Sequence, residues 1–311
     1  MNDPQHESRQ RASKQSTLVS VLVNVLLSCM QLGIGLFAQS AALIADAIHS
    51  FSDLISDAVV LVANHHSSKA PDRNHPYGHL RFETAATLAI GAILIAVGLG
   101  MVWGAAQRLW TNPTGSTVHL IALPMALGAL IAKEALFRYM LRVANRVNST
   151  MLVANAWHAR SDAASSLVVA IGIGANLLGF GFADALAALL VGLMIVRMGW
   201  RFSIGAFHDL TDRAVEPETT QAILETILAT PGVLGAHDLK TRRLGDMIWV
   251  EVDLEMNGQL TIEAGHAIAV DARKRVMNAF PVLDVMTHFD PVAAPHEPLP
   301  HPPSAVTYPP R

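Results

Sequence analysis

Long apolar runs, each close to the length of a bilayer crossing, alternate with short polar links through the first two thirds of the chain. A span needs about 20 mostly apolar residues, and six segments qualify: residues 18–37, 40–63, 84–107, 117–140, 151–178 and 182–205. The pattern predicts a six-helix membrane domain over residues 18–208, preceded by a polar tail, 1–17, too long to be a signal peptide. The second and fifth segments are the most polar. In the second, Asp46, His49, Asp53 and Asp57 follow one another at intervals of 3, 4 and 4 residues. On a helix that spacing sets all four on one narrow stripe. A carboxylate at bilayer depth costs roughly 2.5–3.5 kcal/mol on insertion scales, so such a stripe normally lines a pathway or a site. The fifth segment repeats the motif as His158-x-x-x-Asp162.

Beyond residue 209 the periodicity becomes that of a small water-exposed domain. Pro217–Thr230 reads as a helix closed by Pro231-Gly232. Val233–Arg243 and Met247–Met256 read as strands around the turn Leu244-Gly245-Asp246, a second helix spans Ile262–Phe280, and a last strand Val282–Phe289. This α-β-β-α-β order predicts a two-layer α+β domain over 209–291. The tail, 292–311, carries seven prolines and is expected to be disordered.

Composition strengthens the membrane reading. The chain of 311 residues is 51% hydrophobic and 15% charged, with a mean hydropathy of +0.36; soluble domains carry about 25% charged residues. A net charge of -3 offers no global basic field for nucleic acid. The single cysteine, Cys29, excludes an intramolecular disulfide and a Cys-based zinc cluster, and its apolar surroundings predict a small packing residue. Cations collect on one side of the predicted membrane: Arg9, Arg11 and Lys14; Lys69, Arg73 and Arg81; Arg138, Arg142 and Arg146; Arg201. The other side has Arg108. The positive-inside rule therefore puts both termini in the cytoplasm.

With that topology, His49 and Asp53 lie roughly 14–20 Å into a core of about 30 Å, and His158 and Asp162 reach similar depth from the opposite face. Two imidazoles and two carboxylates at one level suit a tetrahedral Zn²⁺ site; one isolated buried His would read instead as a packing residue. Asp46 and Asp57 flank the pair, as lining of aqueous approaches or as helix-end or interhelical hydrogen-bonding groups. Asn24, Gln31 and Asn155 read as packing groups or as partners of the ligands, and Lys133 and Glu134 as snorkelling side chains. In the second link, Asp72, His75 and His79 form a compact triad. Its spacing fits a metal-binding loop and a capped turn with solvated imidazoles equally well.

The combination Ser40-Ala-Ala-Leu-Ile-Ala-Asp-Ala-x-His49-Ser-x-x-Asp53, then Asp72-x-x-His75-Pro-Tyr-Gly-His79-x-Arg-x-Glu, then His158-x-x-Ser161-Asp162, resembles the cation diffusion facilitator family. The likeness runs from about Leu18 to Pro291 and includes Pro231-Gly-Val-x-Gly-Ala-His-Asp-Leu and Thr287-His-Phe-Asp-Pro. It is greatest to bacterial zinc and ferrous-iron efflux members. The resemblance implies a homodimeric metal/proton antiporter of the cell (inner) membrane, not an enzyme, with six transmembrane helices and a ferredoxin-like, metallochaperone-like cytoplasmic domain. It implies a transport site at His49, Asp53, His158 and Asp162, and a loop site at Asp72, His75 and His79. It also implies a cytoplasmic binuclear site at His237, Asp253, His266, His288 and Asp290, bridged by Asp290, and a charge pair of Arg81 with Asp212 linking the helices to the cytoplasmic domain. Asp253 departs from the family, whose best-known bacterial pattern has His there, so an interface held by packing and ordinary hydrogen bonds is the alternative. His49, where many bacterial members have Asp, resembles zinc-selective members; Cd²⁺ and Fe²⁺ are the other candidate ions, and no organic cofactor is implied.

Ligation requires neutral imidazole and ionised carboxylate, so metal and protons compete for the same groups. With the efflux direction that the resemblance implies, this predicts Zn²⁺ out and H⁺ in, by rocking around a midplane site in the lipid bilayer. An intramembrane metalloprotease would need His-Glu-x-x-His, which the chain lacks. A metal sensor or metal-gated channel could use the same ligands; dependence of flux on a pH gradient separates it from an antiporter.

Overall fold

The computed structural model describes residues 4–67, 69–112, 115, 117–146 and 150–292, with side chains at all of these except 4–17, 57, 60, 61, 64, 65, 150–152, 154, 155 and 158. The described residues form two compact units, one drawn from the ranges 4–65 and 86–204, the other from 66–85 and 205–292.

The first unit is built from α1 (Pro4–Ala38), α2 (Ala41–Ser67), α3 (Arg81–Thr111), α4 (Ala122–Arg146), α5 (Thr150–Leu177) and α6 (Ala183–Leu210), whose ends reach into the second. Helix α1 begins well ahead of its apolar run, where a tail was expected; Gln, Glu, Arg, Lys and Ala there are good helix formers. The α1–α2 break falls at Gln39, at φ 56°. Ser40 then caps α2, its Oγ accepting the Leu43 N–H at 3.1 Å. Helices α3 and α6 close on one another through glycines. A Cβ at Gly91 would stand 2.8 Å from the Gly199 carbonyl, and one at Gly98 would stand 3.0 Å from that of Gly192. Leu43, Leu94, Val169, Ile173, Val191 and Ile195 anchor the core. Cys29 faces outward, contrary to its expected packing role.

Among the described residues, three helices are long and apolar enough to cross a membrane: Leu18–Ala38, Arg81–Thr111 and Ala183–Leu210. Helices α2, α4 and α5 were expected to cross as well. They are long enough, at 27, 25 and 28 residues, but they carry the polar stripe, Lys133 with Glu134, and the His158–Asp162 motif. Average hydropathy scores such side chains as a loss even where neighbouring helices satisfy them.

The second unit contains α7 (Pro217–Leu228), β1 (Gly235–Leu244), β2 (Met247–Asn257), α8 (Ile262–Ala279) and β3 (Val282–Val292). The strand order is β1-β2-β3, antiparallel between β1 and β2 and parallel between β2 and β3. Gly245, at φ 61°, supplies the left-handed residue that the tight β1–β2 turn needs. In β2, Val250, Val252, Leu254 and Met256 are buried while Glu251, Asp253 and Glu255 alternate outward. The buried face joins Ile223 and Ile227 of α7 and Val276 of α8 in one core. Thr261 caps α8 by accepting the Ala264 N–H. The expected proline-rich tail lies outside the described residues, apart from Val292, which ends β3.

Candidate metal centres

The i, i+4 spacing on α2 stacks His49 and Asp53 on one face, with His49 Nδ1 3.5 Å from an Asp53 carboxylate oxygen. Asp162 of α5 joins them: one ligand atom from each of the three lies within 4.8 Å of the others, and His49 is buried. The α2–α5 approach that makes this possible is fixed on the next turn of both helices. There Ser165 and Ser166 donate to Asp46, at 3.1 and 2.6 Å. His158 falls on α5 one turn before Asp162, and its side chain lies outside the described residues.

Asp46 is not part of an aqueous approach. Its carboxylate is enclosed, accepting from Gln31 Nε2 at 2.5 Å as well as from the two serines, and pairing with Lys133 Nζ at 3.3 Å. Lys133 does not snorkel: it is 3% exposed and reaches Asp46 and Ser50. Glu134, the neighbour expected to behave likewise, instead pairs with Arg138 on the next turn. The side chain of Asp57 lies outside the described residues.

The second group occupies the segment between α2 and α3. Asp72 accepts the backbone N–H groups of Asn74 and His75 at 2.8 and 2.7 Å. The hydrogen bond from His75 is the largest of the influences that hold its carboxyl below the usual range. The turn draws His75 Nδ1 to 3.3 Å and His79 Nε2 to 3.4 Å from the two carboxylate oxygens, with the imidazole rings 4.4 Å apart. Asp72 caps the turn, and the turn gathers the three side chains, with His79 buried rather than solvated. His79 Nδ1 is buried without a hydrogen-bond partner, so the triad still has a nitrogen donor to offer an ion.

The third group lies on the sheet. His237 of β1 stands opposite Asp253 of β2, and His237 Nε2 is 3.0 Å from Asp290 of β3. These three form one cluster within 4.8 Å. A register irregularity after His237, with Asp238 at φ 49°, turns the chain beside the imidazole. Burial pulls the His237 pKa down, but the hydrogen bond to Asp238 and the charges of Asp290, Asp238 and Asp253 outweigh it, and the net shift is upward. Two expected members do not join. His266 sits on the exposed side of α8, away from the face made by Gly265, Ala269, Ala272 and Val276. His288 is exposed, with Nε2 3.6 Å from Asp290 but outside the three-residue cluster.

Arg81 donates to Asp212, which also lies 3.7 Å from Arg242 Nη1. Arg242 in turn lies over the Trp249 ring. Sequence reasoning missed Asp184 on α6, whose carboxylate receives Ser40 Oγ and the N–H groups of Ala41 and Ala42 at the start of α2. An acidic residue in the first turn of an apolar helix was the available signal.

Comparison with known proteins comes down on the same two parts of the chain. The cation efflux transmembrane domain family matches residues 17–211, and the cation efflux protein cytoplasmic domain family matches residues 215–292. Metal tolerance protein C1 of Arabidopsis thaliana is 34% identical over 272 residues, covering 83% of this chain but 58% of that longer protein. The manganese efflux system protein MneS of Bacillus subtilis (strain 168) is 32% identical over 282 residues, covering 91% of this chain and 97% of its own length. The magnetosome protein MamB of Paramagnetospirillum magneticum is 29% identical over 248 residues, with 80% and 83% covered. Among solved structures, the metal-bound C-terminal domain of the CzcD transporter from Thermotoga maritima shares 25% identity over 24% of this chain and 87% of that one, with a TM-score of 0.23.

Proposed function

The chain belongs to the cation diffusion facilitator family, a membrane-embedded metal cation efflux transporter and not an enzyme, and on that premise we propose that it exports Zn²⁺ from the cytoplasm in exchange for protons. It acts as a homodimer in the cell membrane, with six crossings over 18–208, both termini inside, and a metal-binding cytoplasmic domain over 209–291. The observation that carries the reading is the convergence of buried His49 with half-buried Asp53 and Asp162 from two helices. His158, one turn before Asp162, supplies the fourth ligand. Two nitrogen and two oxygen donors accept Zn²⁺ in four-coordinate geometry. Binding requires the imidazoles neutral and the carboxylates ionised, so an arriving ion releases protons and an arriving proton weakens the ion's hold. Asp72, His75 and His79, and separately His237, Asp253 and Asp290, bind further ions that brace or regulate the dimer.

Manganese is the second reading. A relative of similar length is named a manganese efflux protein, and the described cluster holds two carboxylates to one imidazole, a set Mn²⁺ also accepts. Zinc and manganese uptake into inside-out proteoliposomes, with Asp53→Ala as control, tests both. Zinc flux that disappears in the variant supports the proposal, and equal flux in both proteins overturns it.

A further inference from the structure

Asp46 lies one turn before His49, on the stripe that carries His49 and Asp53. Residues three and four apart share a helix face, so its carboxylate stands on the same face as two groups of the membrane cluster. It is nonetheless fully enclosed and committed elsewhere. Gln31 Nε2 and Ser166 Oγ donate to one oxygen at 2.5 and 2.6 Å, and Ser165 Oγ lies 3.1 Å from the other, its one hydrogen shared with the Asp162 carbonyl at 2.7 Å. Lys133 Nζ bridges both at 3.3 and 3.4 Å. A carboxylate has about four lone-pair sites, and these contacts use them. The Lys133 ammonium is itself buried and also donates to Ser50 Oγ at 3.2 Å, on the residue that follows His49. Of the donors to Asp46 among the described residues, it alone carries a charge.

We propose that Lys133 is a specificity-determining positioning residue: by neutralising and holding Asp46, it keeps a third carboxylate out of the cluster formed by His49, Asp53 and Asp162. The inference rests on the export reading only for what the cluster is for. A small donor set with mixed nitrogen and oxygen ligands favours four-coordinate Zn²⁺. An added carboxylate raises the oxygen count and coordination number, which favours Mn²⁺. The polar contacts of Asp46 run to α1, α4 and α5, so without the ammonium only neutral donors remain and part of the carboxylate's lone-pair capacity is freed.

The test is the ratio of Mn²⁺ to Zn²⁺ affinity, measured by equilibrium binding to the purified full-length protein. The other two clusters keep their residues, so differences between variants report on the membrane cluster. Lys133→Met and the milder Lys133→Gln should raise the ratio about tenfold, with Lys133→Arg close to wild type. Asp46→Asn combined with Lys133→Met should return it to within about threefold of wild type, because the released carboxylate is gone. Should Lys133→Met fail to fold, Lys133→Gln decides alone. A wild-type ratio in Lys133→Gln overturns the inference, as does a shift that survives in the double variant. Zinc flux by the wild-type protein, followed in parallel, bears on the export reading alone, since the affinity ratio is read without flux.

Discussion

Ser40 Oγ donates a 2.6 Å hydrogen bond to Asp184, joining residues 144 positions apart at the point where α2 begins. The same carboxylate accepts the Ala41 and Ala42 N–H groups at 2.6 and 3.3 Å, so an acid from α6 caps the helix that carries His49 and Asp53. Asp184→Ala should cost about 1–2 kcal/mol, the range of a lost helix cap. Thermal unfolding of the purified protein in detergent checks this. An unchanged midpoint would mean that the cap contributes nothing.

The Asp46–Lys133 pair supports a prediction about stability as well as specificity. Removing one partner strands a buried charge, and each single neutralisation, Asp46→Asn or Lys133→Met, should cost about 3–5 kcal/mol. The double variant should cost clearly less than the sum. Denaturation midpoints for the four proteins of the cycle decide it, and additive losses would contradict a paired role.

The polar stripe on α2 illustrates what a sequence can and cannot reveal. Its periodicity put Asp46, His49 and Asp53 on one face, and the structure has them there. Which of them meets Asp162 and which meets Lys133 depends on the rotation and depth of α4 and α5, and no local pattern encodes that. For the same reason Lys133 read as a snorkelling side chain: helix position gives its depth, not its neighbours. The soluble part was easier, because strand alternation in β2 and the Gly245 turn are local signals, and the α-β-β-α-β order followed directly. His266 and His288 were assigned by family likeness, and the exposed sides of α8 and β3 keep them out of the cluster on this single chain.

The cytoplasmic cluster has one imidazole and two carboxylates. Asp253→His would add a nitrogen donor opposite His237 and should tighten Zn²⁺ binding there on the order of tenfold, since imidazole suits zinc better than a harder oxygen ligand. Zinc titration in an Asp53→Ala/His79→Ala background, where the membrane and loop clusters are both disabled, isolates the change. Weaker binding in Asp253→His would show that the carboxylate itself is needed.

Glu216 gives a pH dependence whose sign can be worked out. Its carboxyl is held below the usual value, first by its own backbone N–H and then by the hydrogen bond and charge of Arg243, which donates at 2.6 and 2.7 Å. A depressed folded-state pKa contributes stability above the unfolded value, and that contribution is lost as pH falls through the folded one. Between roughly pH 5 and pH 3 the unfolding midpoint of the wild type should therefore fall more steeply than that of Glu216→Gln. Parallel slopes would remove Glu216 from the acid response.

Metal flux under a reversible pH gradient tests the central claim most directly. Full-length protein in proteoliposomes is loaded with Zn²⁺ on the cytoplasmic face of the transporter, and the opposite side is made acidic, then alkaline, at zero membrane potential. Zinc should leave the loaded side faster toward acid, slow or reverse when the gradient is reversed, and stop in Asp53→Ala and Asp162→Ala proteins that remain dimeric. Zinc flux indifferent to the gradient, or undiminished in either variant, would contradict proton-coupled export through the His49, Asp53 and Asp162 cluster.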